Sequence, residues 1–193
     1  MANVNKPFGL RPIGNLSATG AQKQYGYQIA DNQAGAIFQG DLVVVYDGYI
    51  IKYDASTHTA PTGVFNGCQY YDPTRAGKPT WKNFYPGSVD ITSGIIACEV
   101  LDDPNQLFLI QAAGTITQAE IGKNADPTAS TTGSTVTGIS NGTLGTPAKT
   151  AGLTMKIVGL SDQPDNELGQ YAVVVVKLNQ HQYGSTGVAA DGA

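Results

Sequence analysis

The sequence predicts an all-β fold, an antiparallel sandwich or a partly closed barrel with an extended N-terminal arm. Charged residues make up 13% of the 193 residues, against about 25% in a typical globular domain. Only three glutamates and two methionines occur, so few residues suit an exposed helix face. Ten Tyr, five Phe and frequent Val, Ile and Thr instead fit a pleated, half-buried surface.

The clearest local signal is a β-hairpin over residues 41–53. Two β-rich runs flank the pair Asp47 and Gly48, and Asp-Gly suits the two central positions of a type I′ turn, where φ is positive. The regular spacing of strands and turn signals favours a sandwich or a barrel over parallel βαβ units. Further strands are predicted over residues 24–30, 63–71, 94–101, 106–112, 153–160 and 170–179.

Three regions are predicted along the chain. Residues 1–23 form the arm, residues 24–183 the β-domain and residues 184–193 a weakly packed tail. Within the domain, residues 126–150 lack aromatics and are rich in Ser, Thr and Gly, which predicts a surface loop or an exposed hairpin. A single helical turn is predicted over residues 117–122.

The arm is predicted to be extended because proline fixes φ and restricts the residue before it. Its sequence has neither helical nor strand periodicity. The segment is more apolar than a solvated tail usually is, because it contains Phe8, Leu10 and Ile13. We therefore expect the arm to dock on a protein surface. A disordered terminus is the alternative.

Two strands are apolar at every position, residues 42–45 and residues 173–176. Both faces of such strands need cover. Either each is a central strand between two layers of the same chain, or a second subunit or another protein surface covers the outer face.

The net charge, the hydrophobic pattern and the two cysteines limit the classes of partner and ligand that we expect. A net charge of −4 and two separated arginines, Arg11 and Arg75, predict no nucleic-acid partner. No apolar run approaches the length of a membrane helix and the first residues do not resemble a secretion signal, so we expect synthesis in the cytoplasm and no membrane association. Cys68 and Cys98 lack metal-ligand spacing and are predicted to be buried free thiols.

The sequence predicts no catalytic, cofactor-binding or metal-binding residues. Neither His58 nor His181 has a second ligand type at metal spacing. Asp162, Asp165 and Glu167 could supply oxygen ligands to calcium, but their spacing better fits a proline-stiffened turn. Adjacent aspartates, as at residues 102–103, would point to opposite faces of a strand and do not indicate a glycosidase pair. We therefore expect a non-enzymatic protein.

An aromatic cluster lies between prolines in residues 70–86. Trp81, the only tryptophan, is followed by Phe84 and Tyr85 and preceded by Tyr70 and Tyr71. Such a cluster favours a rigid binding surface for sugar or protein. The alternative is a loop whose rings are buried over one end of the domain.

Several segments together resemble small virion proteins of tailed phages, notably short-tailed phages of marine bacteria and cyanobacteria. The likeness is carried by residues 6–12 (KPFGLRP), 63–68 (GVFNGC), 79–81 (PTW) and 159–167 (GLSDQPDNE). It implies a capsid decoration, or cement, protein on the outer surface of the virion. It also implies the major capsid protein as partner and assembly of the chain into dimers or trimers.

The expected function is to stabilise a phage head by bridging major capsid protein subunits. The alternatives are a carbohydrate-binding module or a head-fibre or tail component. The candidate contacts with the capsid or a second copy are Phe8, Leu10, Arg11, Ile13, Trp81, Phe84 and Tyr85.

Overall fold

The computed structural model describes residues 3–16, 24–91, 93–128 and 132–184, with backbone alone for Gln24 and Tyr25. The fold is all-β, and its antiparallel sheets do not close into a barrel. The predicted fold class is therefore confirmed, in its sandwich form. The thirteen strands of the described ranges are β1 (Arg11–Asn15), β2 (Gln24–Ile29), β3 (Leu42–Tyr46), β4 (Tyr49–Lys52), β5 (Gly63–Asp72), β6 (Lys78–Lys82), β7 (Ile96–Leu101), β8 (Gln106–Gln111), β9 (Thr115–Ile116), β10 (Asn124–Ala125), β11 (Met155–Leu160), β12 (Gly169–Gln170) and β13 (Val173–Leu178).

Two sheets build the domain. Sheet A has the strand order β1-β8-β13-β11-β10, and sheet B has the order β2-β7-β5-β3-β4. β5 is long enough to pair with β3 at its start and with β6 at its end. Strands β9 and β12 form a separate short ladder. Two 3-10 turns, Pro73–Arg75 and Gln118–Glu120, complete the regular structure, and the second matches the predicted helical turn.

β3 lies between two hydrophobic cores of the same chain. Leu42 and Val44 belong to the core that sheet A shares with sheet B, while Val43 belongs to a second core on the other face of sheet B. The continuous apolar run of β3 is thus covered within one chain. β13 differs, because its residues alternate between buried and half-buried positions, so the described residues cover Val173 and Val175 on the outer side of sheet A only in part.

The predicted hairpin is confirmed. Asp47 and Gly48 have φ values of 48° and 81°, which is the positive-φ pair that a type I′ turn requires. The other six predicted strands are also present, with ends shifted by a few residues.

The two-residue strands β9 and β10 fall outside the predicted ranges, as do two longer strands that contain proline. β1 pairs with β8 and has a register shift between Pro12 and Gly14. β6 pairs with β5 and contains Pro79. Each occupies a sheet edge, where a residue without an N–H is tolerated. Because edge pairing depends on a distant partner, sequence periodicity did not reveal either strand.

The N-terminal segment packs on its own domain. The side-chain amide of Gln111 donates to the carbonyl oxygen of Val4 (2.8 Å) and accepts from the backbone N–H of Lys6 (3.0 Å). Further along, Leu10 is buried in the core between the sheets. The backbone N–H of Leu10 donates to the carbonyl oxygen of Gly40 (2.9 Å). Residues 3–16 are therefore part of the folded unit.

The Ser/Thr/Gly-rich segment contributes more core than its composition predicts. Leu144 is fully buried against sheet A. Ser140 is also buried, and its hydroxyl donates to the carboxylate of Asp41, which forms an ion pair with Lys52 (2.8 Å). A few well-placed residues thus hold a polar segment on the domain. The parts of the predicted arm, segment and tail at residues 1–2, 17–23, 129–131 and 185–193 lie outside the described residues.

Cys68 and Cys98 are free and buried, as predicted. They are cross-strand partners on β5 and β7. Burial raises the pKa of both thiols to about 12, so both remain protonated near neutral pH.

Candidate interaction surface

Two of the predicted contact residues lie in the interior. Leu10 and Tyr85 are buried. The Tyr85 hydroxyl donates to the carbonyl oxygen of Gln33 (2.9 Å) and accepts from the N–H of Val89 (3.2 Å). These side chains stabilise the fold and offer no surface to a partner in this conformation.

Phe84 is half-buried and also serves packing. Its ring stacks on that of Phe38, with centroids 5.7 Å apart and planes at 12°. The ammonium group of Lys82 lies 5.8 Å from the centroid of the same ring. Phe84 thus belongs to a small cluster at the edge of sheet B and exposes only part of its ring.

The arm residues Phe8, Arg11 and Ile13 remain accessible to different degrees. The guanidinium carbon of Arg11 lies 4.7 Å from the Phe8 ring centroid, within range of a cation–π contact. Ile13 is 46% exposed. A cleft of about 170 Å³ separates this part of the arm from sheet B, and its lining includes Val64 and Leu101.

The most exposed aromatic surface is formed by Trp81, Tyr71 and Ile95, here termed the aromatic platform. Trp81 lies on β6, Tyr71 on β5, and Ile95 directly before β7. Their exposed fractions are 56%, 50% and 53%. The predicted aromatic cluster is therefore buried in part and exposed in part: Tyr85 faces the interior, whereas Trp81 and Tyr71 face solvent. Trp81 lies on a strand and not in a loop.

The two rings of the platform each pack against a glycine, one in β5 and one just before β7. A Cβ atom at Gly67 would lie 2.7 Å from Cζ2 of Trp81. One at Gly94 would lie 3.1 Å from Cδ2 of Tyr71. Both rings thus occupy space that a side chain at the glycine position would fill. Aromatic rings placed over glycines stabilise strand pairing, so this packing also has a structural role.

The platform continues the face of sheet B that packs against sheet A. Val64 and Leu101 belong to the core between the sheets. On β7, Leu101 and Ala97 point to the same side of sheet B, whereas Val100 points to the other side, where it is buried. Ala97 is directly opposite Gln69 on β5. Beyond the reach of sheet A, the same face carries the aromatic platform. An apolar face that is covered at one end and exposed at the other is typical of an interaction site.

The two histidines have separate environments. Nδ1 of His58 accepts from the backbone N–H of Asp54 (3.0 Å) in an exposed turn. His181 is buried, and its Nδ1 accepts from the N–H of Tyr183 (3.0 Å). Burial lowers the pKa of His181 to about 4. In the described part of the chain, no group of three His, Cys, Asp or Glu residues could hold a metal ion.

The acidic loop before β13 is organised as a turn, as expected. The side chain of Asn166 accepts from the N–H of Val173 (2.9 Å) and donates to the carbonyl oxygens of Ser161 and Val173 (2.8 Å each). Of the adjacent aspartates at residues 102–103, Asp102 accepts a hydrogen bond from the Tyr27 hydroxyl (2.7 Å).

No helix within the described ranges is long and apolar enough to cross a membrane.

Sequence reasoning placed Tyr71 in the aromatic cluster but missed Ile95. A signal was available, because Ile95 and Ile96 are adjacent at the start of a strand, so one of the two must face away from the core. Which one faces solvent depends on the register of β7.

Comparisons with models of protein families, with curated proteins and with solved structures each found no match.

Proposed function

We propose that this chain is a capsid decoration protein of a tailed phage, located on the outer surface of the virion, where it bridges subunits of the major capsid protein. Its synthesis in the host cytoplasm and its assembly into dimers or trimers are parts of the same proposal. The sequence resemblance supplies the viral setting. The aromatic platform supplies a candidate for the contact.

The observation that carries the proposal is the exposure of Trp81 and Tyr71 on a hydrogen-bonded sheet. Trp81 and Tyr71 are at least half exposed, and their rings lie over Gly67 of β5 and over Gly94 just before β7, respectively. Trp and Tyr are enriched among the residues that dominate binding energy. A ring already fixed in position loses little conformational entropy when a partner covers it.

The test measures binding of the purified chain to phage shells that lack it. Trp81→Ala and the double variant W81A/Y71A should weaken binding by about tenfold or more, since central aromatic residues typically contribute at least about 2 kcal/mol. Tyr49→Ala is a matched control, because Tyr49 is 43% exposed on β4 outside the platform. Wild-type affinity of the platform variants would exclude this face as the contact.

The number of copies per particle distinguishes roles within the virion. Bridging of capsid subunits requires many copies distributed over the shell, whereas a fibre or tail component is present in a few copies at one vertex. Quantitative mass spectrometry of purified particles separates these cases. Absence of the chain from particles would refute the proposal.

A carbohydrate-binding function is the second candidate, and one observation favours it. The Trp81 indole lies across Gly67 while more than half of the side chain is accessible, as in an aromatic surface on which a sugar ring can stack. Glycan-array binding that is lost in Trp81→Ala, together with no binding of the wild-type chain to shells, would support this candidate over decoration.

A further inference from the structure

The outer face of sheet A combines an apolar centre with uncompensated positive charge. Val175, Leu107 and Val158 lie on this side, because their strand neighbours belong to the core between the sheets. Val175 and Leu107 are half-buried and Val158 is 41% exposed. The described residues therefore leave this apolar centre partly open to solvent.

Two lysines on this face lie directly opposite each other. Lys156 of β11 and Lys177 of β13 are cross-strand partners in the antiparallel ladder. Both point outward, because the residues flanking each lysine are buried in the core. Like charges in directly opposed positions destabilise a sheet. This arrangement favours a role for the two charges outside the isolated fold.

No carboxylate within the described residues forms an ion pair with either lysine. The Nζ atom of Lys156 donates to the carbonyl oxygen of Gly122 (3.0 Å), a neutral acceptor that leaves the charge uncompensated. Arg11 on β1 is the third basic residue in the strands of sheet A, and its guanidinium lies over the Phe8 ring beside the cleft toward sheet B. Its cation–π contact with Phe8 is likewise with a neutral group.

The positive charge contrasts with the rest of the molecule. The chain has 15 acidic and 11 basic residues, yet the five strands of sheet A contain three basic residues and no acidic one. Charge separation of this kind steers association with a complementary surface. The cationic face is defined here as Lys156 and Lys177 with the apolar side chains of Leu107, Val158 and Val175.

We infer that the cationic face is a second docking surface, which binds an acidic protein surface with carboxylates arranged around apolar residues. The apolar centre favours a protein over a nucleic acid, because phosphate recognition uses basic and polar groups with little apolar contact. Interfaces with an apolar centre and charged surroundings are typical of protein–protein contacts. This inference deepens the proposed function, since the cationic face and the aromatic platform together would give a bridging protein two contacts.

The experiment measures binding of the full chain to four probes: immobilised poly-L-glutamate, double-stranded DNA, phosphatidylglycerol vesicles and phage shells that lack the chain. Lys156→Glu, Lys177→Glu and the double variant are compared with Lys149→Glu. Lys149 is exposed and lies outside both docking surfaces. Its substitution by Glu changes the net charge by the same amount as Lys156→Glu or Lys177→Glu alone.

The wild-type chain should bind poly-L-glutamate and shells with an affinity that falls as salt concentration rises. The double variant should bind both about tenfold or more weakly, whereas Lys149→Glu should stay within about twofold of wild type. Equal binding of poly-L-glutamate by wild type and double variant would overturn the inference. Tighter lysine-dependent binding to DNA or to vesicles would also overturn it, because the partner would then not be an acidic protein.

The shell probe separates this inference from the proposed function. Lysine-dependent binding to poly-L-glutamate with no binding to shells would refute capsid decoration and leave the acidic-protein surface in place. Shell binding that depends on the aromatic platform but not on Lys156 and Lys177 would support decoration and overturn the cationic face.

Discussion

The indole of Trp81 lies across Gly67, so that a Cβ atom at residue 67 would be only 2.7 Å from Cζ2 of the ring. Gly67→Ala should displace the ring and lower the free energy of unfolding by about 1–3 kcal/mol, the usual cost of overpacking. Because Trp81 is the only tryptophan, its fluorescence reports the change directly. We expect stronger acrylamide quenching in the variant.

Gly26→Ala is the control for this prediction. A Cβ atom at Gly26 would have no neighbour within 4 Å, so the substitution should leave the fluorescence and quenching of Trp81 unchanged. Equal quenching in Gly67→Ala and wild type would contradict the packing described for the ring.

Reversing one charge of the opposed lysine pair should stabilise the protein. Lys177→Glu replaces a like-charge pair with an opposite-charge pair across β11 and β13. The expected gain in unfolding free energy is about 0.2–1 kcal/mol at low salt, with less at high salt because of screening. Urea denaturation at two salt concentrations measures it. The double variant K156E/K177E restores a like-charge pair and should return close to wild-type stability.

Stability should decrease as pH falls from about 6.5 toward 4, because of His181. Burial lowers the pKa of its imidazole to about 4 in the folded chain, while the unfolded chain binds the proton below its ordinary pKa of about 6.5. The unfolded state then binds more protons, so acid favours unfolding. We expect a loss of roughly 2–3 kcal/mol between pH 7 and 4.5.

His181→Gln should remove most of this pH dependence when unfolding free energy is measured by urea denaturation at each pH. His58→Gln is the control for the loss of a histidine outside the interior, since His58 lies in an exposed turn. The measurement stays above pH 4.5 because acidic residues with lowered pKa values, such as Glu120, contribute under more acidic conditions. An unchanged slope in His181→Gln would contradict the assignment.

The two thiols should be unreactive in the native protein. Cys68 and Cys98 are buried and their pKa values are raised to about 12, so little thiolate exists at pH 8. Reaction with Ellman's reagent should be negligible in buffer and should reach two thiols per chain in denaturant. Rapid reaction of either thiol in the folded protein would contradict the described burial.

Gln111 should control how firmly the N-terminal segment is held. Gln111→Met keeps a long unbranched side chain but removes the hydrogen bonds to Val4 and Lys6. We expect faster hydrogen–deuterium exchange over residues 3–8 and little change in the strands of the core. Gln28→Met, at an exposed position of β2, is the control and should show wild-type exchange in this segment.

Much of the fold could be predicted because its signals are local. The Asp47-Gly48 turn depends on the conformations of two adjacent residues. The alternation of Ile96, Cys98 and Val100 follows from the side-chain period of a strand. The candidate site was predicted less well, since the same aromatic stretch contains buried Tyr85 and exposed Trp81, and no local pattern distinguishes them.

The sequence by itself determined the all-β class, the central hairpin, most strands and the burial of both thiols, because backbone preference and hydrophobic alternation act over a few residues. Only the tertiary structure decided which faces remain open. The pairing of β1 with β8, the position of Trp81 over Gly67 and the opposition of Lys156 and Lys177 all depend on strand register. Hydrophobic alternation within a strand indicates which face is buried, but which residues of another strand lie opposite depends on packing between segments far apart in the chain.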